Sequence, residues 1–218
     1  MTSIHTHIAI LLDRSGSMEL LRDDIIGGFN AFVAQQRAVP GEATLTLVQF
    51  DSQQPYEVLH RFAPLAEVQL LTRDSYVPRA ATPLLDAMGQ AIIDLQHDLG
   101  AIPTARRPAH VIVVIITDGR ENASIEFSKG QVARLVAQTQ AAGWEYVFLS
   151  ADMGAIDEAL AVGVRAEASL AFRRDATGTM LAYQSLSDNI AAQRAGRTEH
   201  AGRRRDLSFS DEDRAQQR

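Results

Sequence analysis

Oxygen-bearing side chains stand at three points where an apolar run gives way to a turn. The first is Asp13-Arg14-Ser15-Gly16-Ser17, directly after the strand-like stretch His7 to Leu12. The second is Asp118-Gly119, directly after His110 to Thr117. The third is Thr82, at the end of the long loop 64–81 and just before Pro83. Alternate residues of an extended turn point the same way, so Asp13, Ser15 and Ser17 can face one atom. Gly16 allows a sharp bend between the serines. Carboxylate and hydroxyl oxygens suit a hard cation, above all Mg²⁺, which takes about six oxygens at about 2.0–2.1 Å and keeps several waters. With 16 Asp and 13 Ser in the chain, composition alone gives roughly 0.06 chance matches to Asp-x-Ser-x-Ser. The placement at strand ends restricts the pattern further.

Those placements need a sheet. Apolar runs alternate with helical patterns, the signature of an α/β fold with a mostly parallel sheet. Strands are expected at His7–Leu12, Thr44–Phe50, Tyr56–Phe62, His110–Thr117, Trp144–Ser150 and, weakly, Arg165–Ser169. The connection Asp51–Pro55 is too short for a right-handed crossover, so the third strand should run antiparallel at an edge. Helices are expected at Glu19–Gln36, from Pro83 through Leu95, at Ser128–Ala142, Met153–Ala161 and Thr177–Gln193. Pro83 suits a first helical position, with Thr82 as its cap. Ligands of open α/β sheets bind beyond the carboxyl ends of the strands, where all three oxygen-bearing segments fall.

At these residues the chain resembles the von Willebrand factor A domain family. The wording LLDRSGSM, ATPLLDAM and IITDGREN is similar to the family's in all three places. The family's metal-ion-dependent adhesion site (MIDAS) combines Asp-x-Ser-x-Ser, a Thr and an Asp, matched here by Asp13, Ser15, Ser17, Thr82 and Asp118. The resemblance implies a three-layer, doubly wound α/β/α fold with a six-stranded, mostly parallel sheet and one antiparallel edge strand. It also implies a bound Mg²⁺, with Mn²⁺ or Ca²⁺ as alternatives, and a protein partner that offers an Asp or Glu carboxylate to the metal. Some members of the family work beside a separate ATPase. The expected function is recognition rather than catalysis.

Composition narrows the alternatives. The 218 residues are 46% hydrophobic and contain no cysteine, which excludes thiolate metal sites, disulfides and cysteine nucleophiles. The net charge of −6 argues against a nucleic-acid partner. No apolar run approaches a membrane span, and the N-terminus carries no basic region before its apolar stretch, so a cytoplasmic location is expected. The runner-up reading is a Mg²⁺-dependent phosphotransferase or hydrolase on a similar sheet. Aspartyl-phosphate enzymes of the best-known kind need a second carboxylate where Ser15 stands, and a lysine. The only lysine is Lys129. Neither Gly-x-Ser-x-Gly nor a phosphate-binding loop is present.

Weaker candidates have ordinary readings. Asp13 could cap a helix, His5 and His7 could bind a transition metal, and Asp51 and Asp152 could lie at the rim or serve as turn residues. Arg120 and Glu121 could select a partner or be a solvated pair. Residues 1–194 are expected to form the domain. Residues 195–218, polar and rich in Arg, are expected to be a disordered tail.

Overall fold

The computed structural model describes residues 5–196, 199–200, 203–204 and 206–218. Its main sheet holds six strands: β1 (Thr6–Asp13), β2 (Ala43–Asp51), β3 (Gln54–Pro64), β4 (His110–Thr117), β5 (Glu145–Ser150) and β6 (Ser169–Ala171). The order is β3-β2-β1-β4-β5-β6. Five strands are parallel and β3 runs antiparallel at the edge, as its short connection requires. β1 lies between β2 and β4, with Ile10 opposite both Leu47 and Val114. Strands buried on both faces should be continuously apolar, and Val111–Ile116 in β4 is buried throughout.

The helices are α1 (Arg22–Ala38), α2 (Leu84–Ala101), α3 (Lys129–Ala141), α4 (Met153–Ala161), α5 (Ala176–Arg194) and α6 (Asp211–Ala215). A 3-10 turn over Gly16–Leu21 precedes α1, where the sequence pattern suggested one longer helix. Odd and even positions of the central strands feed two cores. Ile8, Ile10 and Leu12 pack with Phe29, Phe32 and Val33 of α1 and Leu186 and Ile190 of α5. Ala9 and Leu11 pack with Met88, Ile92 and Leu95 of α2, Val132 and Val136 of α3, and Ile156 of α4. Each of these side chains larger than Ala9 stabilises the fold by about 1.5–3 kcal/mol on burial. The result is three layers, α/β/α.

The connection leaving β1 and the one leaving β4 go to opposite sides of the sheet. This switch point opens a crevice beyond the carboxyl ends of β1 and β4. Asp13 ends one strand, and Asp118 directly follows the other.

Three expectations need correction. The last strand is Ser169–Ala171 rather than Arg165–Ser169, because a 3-10 turn takes Ala166–Ala168. Pro83 is the cap of α2 rather than its first residue, and no side chain of 82–83 caps it. Residues 206–218 pack against the domain, where composition predicts a disordered tail. Leu207 and Phe209 are buried in the α1/α5-side core, and α6 begins with a Ser210–Asp213 capping box. The rest of the expected tail lies partly outside the described residues. Within it, Glu199–His200 pairs with Arg203–Arg204. Among the described residues, no helix is long and apolar enough to cross a membrane.

Candidate functional site

The first turn after β1 alternates as its sequence requires. Arg14 points away from its neighbours' oxygens and is buried, bonding Asp51 at 2.8 Å, Gln49 at 3.0 Å and also Glu57. Asp13, Ser15 and Ser17 turn the other way. Asp13 Oδ1 accepts the Ser15 amide at 2.6 Å, and Oδ2 accepts the Thr117 hydroxyl at 2.6 Å. Ser15 Oγ lies 3.1 Å from Ser17 Oγ, whose hydroxyl donates to Asp118 Oδ1 at 2.6 Å. A Cβ built on Gly119 would lie 3.6 Å from Ser17 Oγ and 3.8 Å from Thr82 Oγ1. The structure thus gathers all five predicted residues from three connections. Ser17 is exposed while Asp13, Ser15, Thr82 and Asp118 are buried, so the cluster opens to solvent on the Ser17 side.

Two loops hold this arrangement. Tyr76, buried in the 64–81 loop, donates its hydroxyl to Asp13 O at 2.7 Å. Gly16 N donates to Ala80 O at 3.0 Å. Ala80 has φ 58, a left-handed conformation that costs a residue with a Cβ about 1–2 kcal/mol. Thr82 N donates to Asn122 Oδ1 at 2.8 Å, and Asn122 N to Thr82 O at 3.1 Å. Glu121 is no solvated partner of Arg120. Its carboxylate accepts Leu85 N, Ala123 N, Ser124 N and Ser124 Oγ, locking the loop after β4 to the start of α2.

Asp13 is surrounded by neutral donors, and among the described residues it has no salt-bridge partner. Burial pushes its carboxyl up to about 7 against the pull of Thr117 and Ser15. Burial also raises Asp118, while Ser17 and Arg174 pull it down. Asp118 Oδ2 is buried and accepts no well-aligned hydrogen bond, though Arg174 Nη2 lies 3.1 Å away.

No family model and no curated protein matches the sequence. Solved structures do match. Proximal thread matrix protein 1 from the mussel byssus, described with a zinc-occupied MIDAS motif, is 13% identical with a TM-score of 0.60. The match covers 87% of this chain and 46% of that one. The manganese-loaded TRAP protein of Plasmodium vivax is 14% identical with a TM-score of 0.53, over 83% of this chain and 73% of that one. A von Willebrand factor type A structure from Catenulispora acidiphila is 16% identical with a TM-score of 0.54, over 88% of this chain and 43% of that one. The chain has the von Willebrand factor A fold. It spans less than half the length of the mussel protein.

In this A-type fold the donor set fits a hard divalent ion. Three hydroxyls and two buried carboxylates converge, and a cation would relieve the burial cost that both carboxylates bear. Among the described residues, no three His, Cys, Asp or Glu side chains form a metal-binding group, so the set depends on its hydroxyls. The rival readings find other places. Asp13 caps no helix. Asp51 is a buried anchor, accepting Gln53 N and Gln54 N and pairing with Arg14 and Arg79. Asp152 caps α4 and pairs with Arg120. His5 and His7 share the Thr44 hydroxyl, and His7 is buried against Phe62. Sequence reasoning missed Thr117, Tyr76 and Arg174. Thr117 stands in the Ile115–Gly119 run beside Asp118, a local signal; the other two carry none.

Proposed function

We propose that the chain is a divalent-metal-dependent protein-binding module, without catalytic activity, that engages an acidic residue of a partner. The observation that carries this reading is the convergence of Asp13, Ser15, Ser17, Thr82 and Asp118 at the switch point of the sheet. These five would hold Mg²⁺, with Mn²⁺ or Ca²⁺ as substitutes. When bound, the ion supplies an electrophilic centre to which a partner's Asp or Glu carboxylate can add. The two carboxylates balance its charge without excess, and the three neutral hydroxyls leave it attractive to a further anion. Thr117 and the Ser15 amide fix both oxygens of Asp13, so that carboxylate is oriented in advance.

The surroundings support a protein as partner. Leu20, Ile125 and Met153 are 81%, 92% and 64% exposed. They emerge from the connections after β1, β4 and β5, on the same end of the sheet as the site. Large apolar side chains kept in water beside a polar site suit a protein surface better than a small anion. A partner that is itself an ATPase fits the same role, as does a cytoplasmic location, and no nucleic-acid or membrane partner is proposed.

The test is capture of binding proteins on immobilised full chain in Mg²⁺, in EDTA, and with Thr82→Ala and Thr82→Ser. The proposal expects capture that EDTA and Thr82→Ala abolish and Thr82→Ser retains. Capture indifferent to EDTA would refute it. Mg²⁺-dependent phosphatase turnover by the purified chain would favour the enzymatic alternative.

A further inference from the structure

A fourth connection, from β6 to α5, delivers a cation to the site. Arg174 Nη2 donates to the backbone carbonyl of Asp118 and lies 3.1 Å from Asp118 Oδ2. The other carboxylate oxygen is taken by Ser17. The oxygen that lacks a well-aligned donor is therefore the one the guanidinium faces. The turn that presents Arg174 is tight. Asp175 caps α5 by accepting Gly178 N at 2.6 Å, and a Cβ on Gly178 would lie 2.4 Å from Arg173 O. The position from which Arg174 emerges is thereby fixed, while its side chain stays 41% exposed.

We infer that Arg174 is a resident cation of the metal site, one that loosens metal binding and leaves the loaded site more attractive to a partner's carboxylate. This rests on the reading of Asp118 as a metal ligand. Asp13 and Asp118 together cancel the charge of a divalent ion. Arg174 adds one positive charge beside Asp118, which opposes the entry of a second cation and favours the arrival of an anion. The guanidinium is partly solvated, so the effect is screened below what a buried charge would give. Arg174 acts through Asp118 and is a positioning and charge-setting residue.

The test is calorimetric titration of Mn²⁺ into the full wild-type chain, Arg174→Gln, Arg174→Lys and Asp13→Ala. Arg174→Gln should bind Mn²⁺ about ten-fold more tightly than wild type, and Arg174→Lys should stay near wild type because it keeps the charge. The gap between wild type and Arg174→Gln should narrow at high salt. Equal or weaker binding by Arg174→Gln would overturn the inference. So would Arg174→Lys behaving like Arg174→Gln, or Arg174→Gln losing its cooperative melt, either of which would make the role one of packing. If wild type shows no Mn²⁺ binding that Asp13→Ala removes, the metal reading itself fails and takes this inference with it.

Discussion

Phe209→Ala is the sharpest probe of the segment that composition misjudged. Phe209 is 7% exposed and belongs to the core shared with Leu170 and Phe172. Its amide donates to Glu167 O at 2.8 Å, and Leu207 N donates to Glu145 Oε2 at 2.8 Å. Truncating an enclosed Phe to Ala costs about 3–5 kcal/mol. An open surface pocket of about 450 Å³ lined by Asp206, Leu207, Phe209 and Asp213 flanks this residue. Neighbouring side chains therefore have room to relax, and the cost falls at the low end, about 3 kcal/mol. In a domain of this size each kcal/mol moves the melting temperature by about 2–4 °C, so a drop of roughly 6–12 °C is expected. Circular dichroism melts and urea titrations on wild type, Phe209→Ala and the control Ser208→Ala would measure it. Ser208→Ala should change stability by less than about 0.5 kcal/mol. A Phe209→Ala melt within 2 °C (about 0.5–1 kcal/mol) of wild type would refute the docking of residues 206–218.

Two neighbouring glycines of α1 should answer the same substitution with opposite signs. A Cβ on Gly28 would lie 2.3 Å from the Tyr183 ring, whereas nothing lies within 4 Å of one on Gly27. Gly27→Ala should stabilise the helix by about 0.5–1 kcal/mol, while Gly28→Ala should destabilise by about 1–3 kcal/mol, read from urea midpoints. His7 provides the pH test. Burial lowers its pKa to about 3, with His5 adding to the shift. The unfolded chain takes up this proton near pH 6.5 and the native state only near 3. Stability from this group is thus complete above 6.5 and is lost as pH falls. Relative to His7→Gln, wild type should lose about 1.4 kcal/mol per pH unit between pH 6 and 4. Parallel pH profiles for the two chains would show that His7 is free to protonate in the fold.

How legible each part was depended on how local its cause is. β1 and β4 announce themselves because strands covered on both faces must be apolar throughout, and their ends then place Asp13 and Asp118. The antiparallel course of β3 follows from the brevity of one connection. The site was readable because Asp13, Ser15 and Ser17 lie within one turn, and Thr82 and Asp118 each stand at an element boundary. β6 was misplaced because only three residues pair with β5, too few to impose a pattern. The cap of α2 was misread because Glu121 and Ser124, from another loop, supply its first-turn acceptors. Residues 206–218 looked like a tail because two apolar side chains, Leu207 and Phe209, are lost in an average over charged neighbours. Arg174 was invisible for a related reason: it reaches Asp118 across 56 positions of chain, and only the fold brings them together.

In the proposed function, Asp13, Ser15, Ser17, Thr82 and Asp118 together would hold one divalent cation. The most direct measurement is a Mn²⁺ titration at pH 8, followed by calorimetry, comparing wild type with Asp13→Ala and Asp118→Ala. Wild type should show one site per chain, reversed by EDTA, and neither variant a saturable site, with both variants still melting cooperatively. Undiminished binding in Asp13→Ala, or a wild-type chain that takes up no Mn²⁺, would contradict that assignment.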